Sequence, residues 1–377
     1  MDVNDVSTAP SPEITFSVVS INLFNFIEPP YAYYDFENIY SDKQWQKKCA
    51  WLSEFISHNQ PDIIAFQEVF SPDALARLTE SLGYKYFVAL DLPEVVSDYV
   101  YRSPVVAIAS KYPIIDSANV SPDPQWINQL GLAESFSFSR KPLRATIQLP
   151  VFGPCDCYVI HLKSKRSGVS RDDISESGLH GGADFVARQV LGRWASSLQR
   201  GSESALLCHQ MLMRRQQTQQ PFMLMGDFND TMGSELLAAF NNQLRVYRSD
   251  IEDPGLAKLG ETSLMAELQQ SSLFDSYELF IAATKCNATL ALDEFESSSL
   301  VDEQPHPARQ PTHYYGNSGS VLDYILVSSE FNPTQQQNLA HIIDYKTFDR
   351  HLVRPDYERD SDSTDHAPVM MSFCVRT

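Results

Sequence analysis

The stretch Met223–Asp230, MLMGDFND, closes an apolar run with a glycine, an asparagine and two aspartates. The run from Phe222 to Met225 reads as a buried strand, and glycine stops it where the chain turns outward. Taken alone, Asp227 and Asn229 fit an Asx-type turn as well as they fit a reactive site. The same arrangement recurs along the chain, with Asn22 in SINLF, Glu68 in FQEV, His161 in VIHLKS, Asp323 in LDYI, and Asp365 with His366 in TDHAPV. Acids at the ends of apolar strands cost stability unless they hold a cation or each other. Carboxylate and amide oxygens with few imidazoles and no thiolates make a hard site suited to Mg²⁺ or Mn²⁺ and poorly suited to zinc.

The elements that must position these groups are short apolar, β-branched segments: ITFSVVSINLF, PDIIAFQEVF, SPVVAIAS, RATIQLPV, CYVIHLKS, PFMLMGDF, LDYILVS and APVMMSFCV. Helix-like stretches lie between several of them, from Lys43 to His58, Pro72 to Leu82 and Asp184 to Leu198. The class is α/β. Strands that follow one another without a helix from Ser103 to Ser164 imply antiparallel neighbours, so the sheets should be mixed. Three segments read as insertions into a compact core: an aromatic loop near 24–45, a Gln-rich helical stretch near 196–220 and an acidic region near 245–310. There is no internal repeat and no domain linker, so a single domain spanning 1–377 is expected.

A chain of 377 residues with 43% hydrophobic content can bury a sizeable core. No segment is apolar for long enough to span a bilayer, and the start MDVNDVSTAPSPEITF lacks the basic and apolar parts of a signal peptide, so a cytoplasmic location without a membrane span is expected. The six cysteines are scattered and are expected to be reduced. A net charge of −19 opposes nonspecific binding to nucleic acid or anionic membrane. The stretch from Arg140 to Arg171 runs against that balance. It carries Arg140, Lys141, Arg144, Lys163, Lys165, Arg166 and Arg171 against the single acid Asp156, which predicts a local positive patch.

The ordered set Asn22, Gln67-Glu68, Arg140-Lys-Pro142, His161-Leu-Lys-Ser164, Gly226-Asp-Phe-Asn229, Leu322-Asp-Tyr-Ile325 and Asp365-His-Ala-Pro368 resembles the endonuclease/exonuclease/phosphatase superfamily. That superfamily includes pancreatic-type deoxyribonucleases, apurinic-site endonucleases, inositol polyphosphate 5-phosphatases and neutral sphingomyelinases. The HLKSKRS form, with a helical insertion before GDFND, resembles a bacterial group within it. The resemblance implies a four-layer α/β sandwich of two mixed β-sheets packed face to face with helices outside. It also implies hydrolysis of a phosphoester by in-line attack of water with a divalent cation.

Residue by residue, the resemblance makes Glu68 the principal Mg²⁺ or Mn²⁺ ligand, with Asn22 acting through its amide oxygen and Asp365 as a second contact. Asp227 with Asn229 would position the attacking water, and Asp227 would accept its proton. His366 would face the phosphate with Asp323 fixing its tautomer, and His161 would donate to a phosphate oxygen or the leaving group. Arg140 matches the phosphate-contacting arginine, with Arg144 as the alternative. Lys163 and Ser164 would also contact substrate, and because Lys163 and Lys165 alternate about Ser164, one of the two would point to the site and the other to solvent. The chain departs from the family in having Thr364 before the Asp-His pair and no acid near SPVVAIAS to hold His161. The partner is a phosphoester: nucleic acid on the strength of the basic stretch, or a small phosphoester or lipid head group walled in by the insertions. No obligate protein partner is evident, and a binding module without catalysis is opposed by every catalytic position being filled.

Overall fold

The computed structural model describes residues 13–167, 181–240, 271–293 and 309–376. Alternation along the first strand sets its architecture. Phe16 and Val18 enter one apolar cluster while Val19, Ile21 and Leu23 enter another, as a strand covered on both faces requires.

Six strands form the first sheet in the order β16 (Ala340–Thr347), β17 (Val369–Val375), β1 (Ile14–Phe26), β3 (Ile63–Val69), β7 (Val105–Ser110) and β4 (Tyr86–Val88). Six more form the second, in the order β12 (Phe274–Asp275), β15 (Asp323–Val327), β11 (Phe222–Asp227), β10 (Gly153–His161), β9 (Leu143–Leu149) and β8 (Ile114–Asn119). Each sheet is mixed, with β1 parallel to β3 and β10 parallel to β11 among antiparallel neighbours. The run of antiparallel strands expected between Ser103 and Ser164 is divided, because β7 lies in the first sheet while β8, β9 and β10 are consecutive in the second. A small sheet joins β2 (Ala32–Tyr33), β6 (Val100–Arg102) and β5 (Glu94–Ser97), and a hairpin joins β13 (His313–Tyr315) to β14 (Ser318–Ser320).

The sheets face each other across Phe16, Val18, Ile63, Ala65, Ala145, Ile147, Val159, Met223, Met225, Ile325 and Met371, all buried. Helices α1 (Asp42–Asn59) and α2 (Pro72–Ser81) cover the outer face of the first sheet through Trp51, Leu52, Ile56, Ala74 and Leu75. Helix α1 starts at a capping box of Ser41 with Gln44 and stops at Gln60 in the left-handed conformation. Helices α3 (Pro124–Gln129) and α4 (Gly182–Thr218) cover the second sheet through Ile127, Leu206, Leu207 and Met211. The result is the four-layer sandwich.

Described parts of the three segments read as insertions contribute elements to the fold. The helix expected over 184–198 and the stretch near 196–220 form one continuous helix, α4, whose second half is core. In the acidic region, 245–270 and 294–308 lie outside the described residues. Its described parts join the sandwich: β12 pairs with β15, and helix α5 (Ser276–Asp293) follows it directly. Arg309 stacks over Tyr277, Tyr324 and Tyr345 and pairs with Asp275. Of the segment near 24–45, the middle becomes β2 and the end becomes the start of α1.

Gly226 answers why the apolar run of β11 ends as it does. Its φ of 145° suits glycine, and a Cβ there would lie 2.0 Å from the carbonyl oxygen of Ile160 in β10. Gly226→Ala should therefore cost about 3 kcal/mol in urea-unfolding experiments, through strain and a forced separation of β10 from β11. An unchanged unfolding midpoint would show that the two strands part without cost.

Candidate active site

Strand register brings the polar residues together. His161 pairs with Asp227, and Asp227 pairs with Asp323, so three neighbouring strands of the second sheet present these residues at one level. They continue the inward rows Val159, Met225 and Ile325, which places all three on the face toward the first sheet. In the first sheet Asn22 pairs with Gln67 at the corresponding edge. Glu68 follows Ile64 and Phe66, whose side chains serve the outer cluster, so simple alternation would send it outward. Its φ of 60° and a register shift after Phe66 break the pleat there and aim the carboxylate at the second sheet. Phe24, Asn25 and Asn229 are also left-handed non-glycine residues, at φ 49°, 60° and 53°. Four of the left-handed non-glycine residues thus lie where the polar groups converge.

Asp227 is the hub. Its Oδ1 accepts from the Asn229 backbone N–H at 2.7 Å, and its Oδ2 accepts from the side-chain amides of Asn229 at 3.1 Å and Asn22 at 3.2 Å. His161 Nε2 lies 3.6 Å and His366 Nε2 3.9 Å from the same oxygen. Glu68 Oε1 lies 4.0 Å from His161 Nε2 and 3.5 Å from Asn22 Nδ2, while its Oε2 accepts from the Asn25 backbone at 3.0 Å. His366 Nδ1 bonds Asp323 at 2.8 Å. The Thr312 hydroxyl accepts from the backbone N–H groups of Leu322 and Asp323 and fixes that strand end. Thr364 keeps the job a serine would have: its hydroxyl donates to the Asn22 carbonyl at 2.6 Å and accepts from His366 N–H at 3.1 Å.

The electrostatics separate the two histidines. Burial, with Arg140 and His366 nearby, holds the His161 imidazole well below its ordinary pKa, so it is neutral at pH 7. Burial would depress His366 as well, but Asp323 and Asp227 overrule it and raise the pKa well above the usual value, which makes it a cation. Burial pushes Asp227 up to about 7, with Asp323 adding to the rise and His366 opposing it. Burial and the neighbouring Glu68 also raise Asp365. Titratable groups driven apart in this way are the usual sign of acid–base assignments.

The donor set fits a hard divalent cation. Asp365 Oδ1 is buried with no hydrogen-bond partner among the described residues, and Glu68 Oε1 has the long 3.5 Å contact from Asn22 and His161 at 4.0 Å. Asn22 is oriented differently from expectation. Its Oδ1 accepts from Phe24 N–H at 3.0 Å because the left-handed turn needs an acceptor there, so the amide nitrogen faces Glu68 and Asp227. A second lone pair on Oδ1 remains for a cation. Lys48, absent from the sequence reading, is buried behind this group. Its ammonium donates to the Ser363 carbonyl at 2.8 Å, and burial lowers its pKa to about 8 against the pull of Glu68 and Asp365.

Of the anticipated substrate contacts, Arg140 reaches the site, where its charge acts on Tyr34, His161 and Lys163. Lys163 is half-buried and its pKa is lowered by burial and by Arg140. Ser164 follows it in the same loop. Lys165 points away, to a 2.8 Å ion pair with Asp230. Arg144 must be corrected. It sits in β9 between the inward residues Leu143 and Ala145, so it faces outward, where Asp116, Asp156 and Thr146 take its guanidinium.

The positive patch is correspondingly thinner than expected, since Lys141 is also paired, with Asp91. Arg171 lies outside the described residues. His161 Nδ1 has no hydrogen-bond partner among the described residues, in keeping with the missing acid near SPVVAIAS. His313 is a further group the sequence reading missed. Its ring centroid lies 4.8 Å from that of His366 with the two planes tilted by 46°, and its pKa is lowered by burial and by His366. Only the bridge that sets His313 against His366 in the folded chain reveals it.

The chain matches the Endonuclease/Exonuclease/phosphatase family over residues 38–366 and belongs to that family. No curated protein matches it in sequence. Among solved structures, it is similar to an endonuclease/exonuclease/phosphatase family protein from Bacteroides thetaiotaomicron, at 15% identity and a TM-score of 0.50 over 97% of this chain and 96% of that one. It is also similar to the human Nocturnin catalytic domain with bound sulfate anion, at 16% identity and a TM-score of 0.49 over 96% and 95% of the two chains. ANGEL2, a 2′,3′-cyclic phosphatase, matches at 16% identity and a TM-score of 0.47 over 96% and 95%. The fold is thus that of a phosphoesterase family, and no helix among the described residues is long and apolar enough to cross a membrane.

Proposed function

We propose that this protein is a Mg²⁺- or Mn²⁺-dependent phosphoesterase that hydrolyses a phosphodiester by in-line attack of water. The observation that carries this reading is the convergence of Asn22, Glu68, His161, Asp227, Asn229, Asp323, Asp365 and His366 at one edge of the sandwich, from strands of both sheets. Glu68 and Asp365, with Asn22, would hold the divalent ion, which when bound supplies positive charge to the phosphoryl oxygens and the leaving oxygen. Asp227, oriented by Asn229 and Asn22, takes the proton of the attacking water. The cationic His366, held by Asp323, stabilises charge developing on the phosphoryl group. Neutral His161 donates a hydrogen bond on the opposite flank, and Arg140 and Lys163 hold the phosphate. The HLKSK run followed by α4 supports placement in the bacterial group with that motif, and a cytoplasmic location belongs to the same proposal.

Nucleic acid is the first reading of the substrate, supported by Arg140, Lys163 and Arg166. A second reading, a small phosphoester or lipid head group, gains from the ion pairs that engage Lys141, Arg144 and Lys165 and from the aromatic rim around Tyr34. A metal-supplemented panel of single- and double-stranded DNA, RNA, bis(p-nitrophenyl) phosphate and phosphomonoesters tests the reaction class. Hydrolysis of monoesters alone would overturn the diester assignment.

Salt separates the substrates. Three phosphate-contacting cations predict a log–log slope of about −2 for binding of a single-stranded DNA oligomer, reduced by roughly 0.7 on Arg166→Ala, against a nearly flat profile for a small diester. The measurement is KM against salt concentration. A flat DNA profile would remove the nucleic-acid reading.

A further inference from the structure

Helix α4 does more than cover the second sheet. Glu203, on its inner face, is 1% exposed. One carboxylate oxygen accepts from the backbone N–H of Ser139 at 2.7 Å, from the Ser139 hydroxyl at 2.5 Å and from Gln199 at 3.1 Å. The other accepts from the backbone N–H of Lys163 at 2.7 Å. One turn earlier, Arg200 is 2% exposed, donates to the Lys163 carbonyl at 2.9 Å and pairs with Asp230 at 3.0 Å. Asp230 in turn pairs with Lys165. The peptide groups of Lys163 are therefore gripped on both sides by a single turn of α4, and the same carboxylate grips the residue immediately before Arg140.

We infer that Glu203, with Arg200, is a positioning residue that sets the two loops carrying Arg140 and Lys163 against the phosphate. This rests on the phosphoesterase reading above. Two features favour positioning over simple attachment of the helix. Leu206, Leu207 and Met211 already fix α4 to the sheet through apolar contact. Glu203 and Arg200 instead direct hydrogen bonds to the backbone of Ser139 and Lys163, beside the site's basic residues, and a buried ionised group is retained only where its bonds are all made. Small displacements of groups that orient a substrate weaken its reaction steeply.

The test uses the full-length protein and two readouts: binding of inorganic phosphate by calorimetry, and kcat/KM for bis(p-nitrophenyl) phosphate with Mg²⁺. Glu203→Ala should weaken phosphate binding about tenfold and lower kcat/KM by one to two orders of magnitude, with the Mg²⁺ dissociation constant unchanged, because Glu68 and Asp365 belong to the other sheet. Glu203→Gln keeps one acceptor oxygen and should show a smaller loss, which keeps the test open if the alanine variant fails to fold. Adding Glu203→Ala or Glu203→Gln to an Arg140→Ala, Lys163→Ala background should cause little further loss, since residues acting through one another are non-additive. Additive losses, or phosphate binding that Arg140→Ala weakens and both Glu203 variants leave alone, would overturn the inference. A wild-type protein that binds phosphate in a Glu203-dependent way but hydrolyses no phosphoester would overturn the phosphoesterase reading and leave the positioning role standing.

Discussion

Exhaustive chelation will abolish hydrolysis, and Mg²⁺ or Mn²⁺ will restore it. The expectation rests on two carboxylates, Glu68 and Asp365, that act on each other electrostatically at the edge of the site. Burial and Glu68 both disfavour the charged form of Asp365, and its Oδ1 has no hydrogen-bond donor among the described residues. Lys48 lies behind the pair with its ammonium on the Ser363 carbonyl, so it offsets their charge from a distance and cannot satisfy those oxygens. Oxygen ligands of this kind select a hard ion. Glu68→Gln should weaken Mg²⁺ binding by roughly ten- to hundredfold while preserving the fold. A thermal melt adds a readout independent of catalysis, because an ion that binds the folded state raises the melting temperature with its concentration. The wild type should show that rise and Glu68→Gln should lose most of it at equal Mg²⁺. Activity that survives chelation would sink the mechanism.

The layers and most of the polar convergence that forms the candidate site were legible because both rest on local pattern. Short apolar, β-branched runs such as RATIQLPV and ITFSVVSINLF mark the strands, and polar residues at their ends mark the edge where a site can form. Alternation along a strand could have excluded Arg144. Leu143, Ala145, Ile147 and Leu149 point inward, so Arg144 must point out, whereas Arg140 precedes the strand and escapes that parity. Glu68 is the converse case. Parity sends it outward, and only a left-handed backbone at φ 60° returns it to the site, which no periodicity reveals. The roles of Glu203 and Arg200 were hidden for another reason: Ser139 and Lys163 lie 64 and 40 residues from Glu203, so a helix that reads as an insertion becomes part of the site only through tertiary packing. Pairing of Lys165 with Asp230 is equally a matter of a turn whose direction the sequence leaves open.

Asp227→Asn and His366→Ala should each lower turnover by two or more orders of magnitude, with circular dichroism spectra close to wild type. The two substitutions should also leave different marks on the pH profile. The Asp227 carboxyl is pushed up to about 7, first by burial and then by Asp323, against the opposing influence of His366. It accepts a proton only when ionised, so kcat/KM should fall as pH drops through about 7, and a bound cation, which favours the carboxylate, should draw this acid limb lower. His366 is held well above the ordinary histidine range by Asp323 and Asp227 despite its burial, so it remains a cation at neutral pH and loses that charge only under alkaline conditions. Activity should decline there as the imidazolium is lost. Asp227→Asn should remove the acid limb while keeping the alkaline one, and His366→Ala should do the reverse. The experiment is kcat/KM against pH for the wild type and both variants at saturating Mg²⁺. An acid limb that persists unchanged in Asp227→Asn would take the proton-accepting role from Asp227, and near-normal turnover in His366→Ala would take the charge-stabilising role from His366.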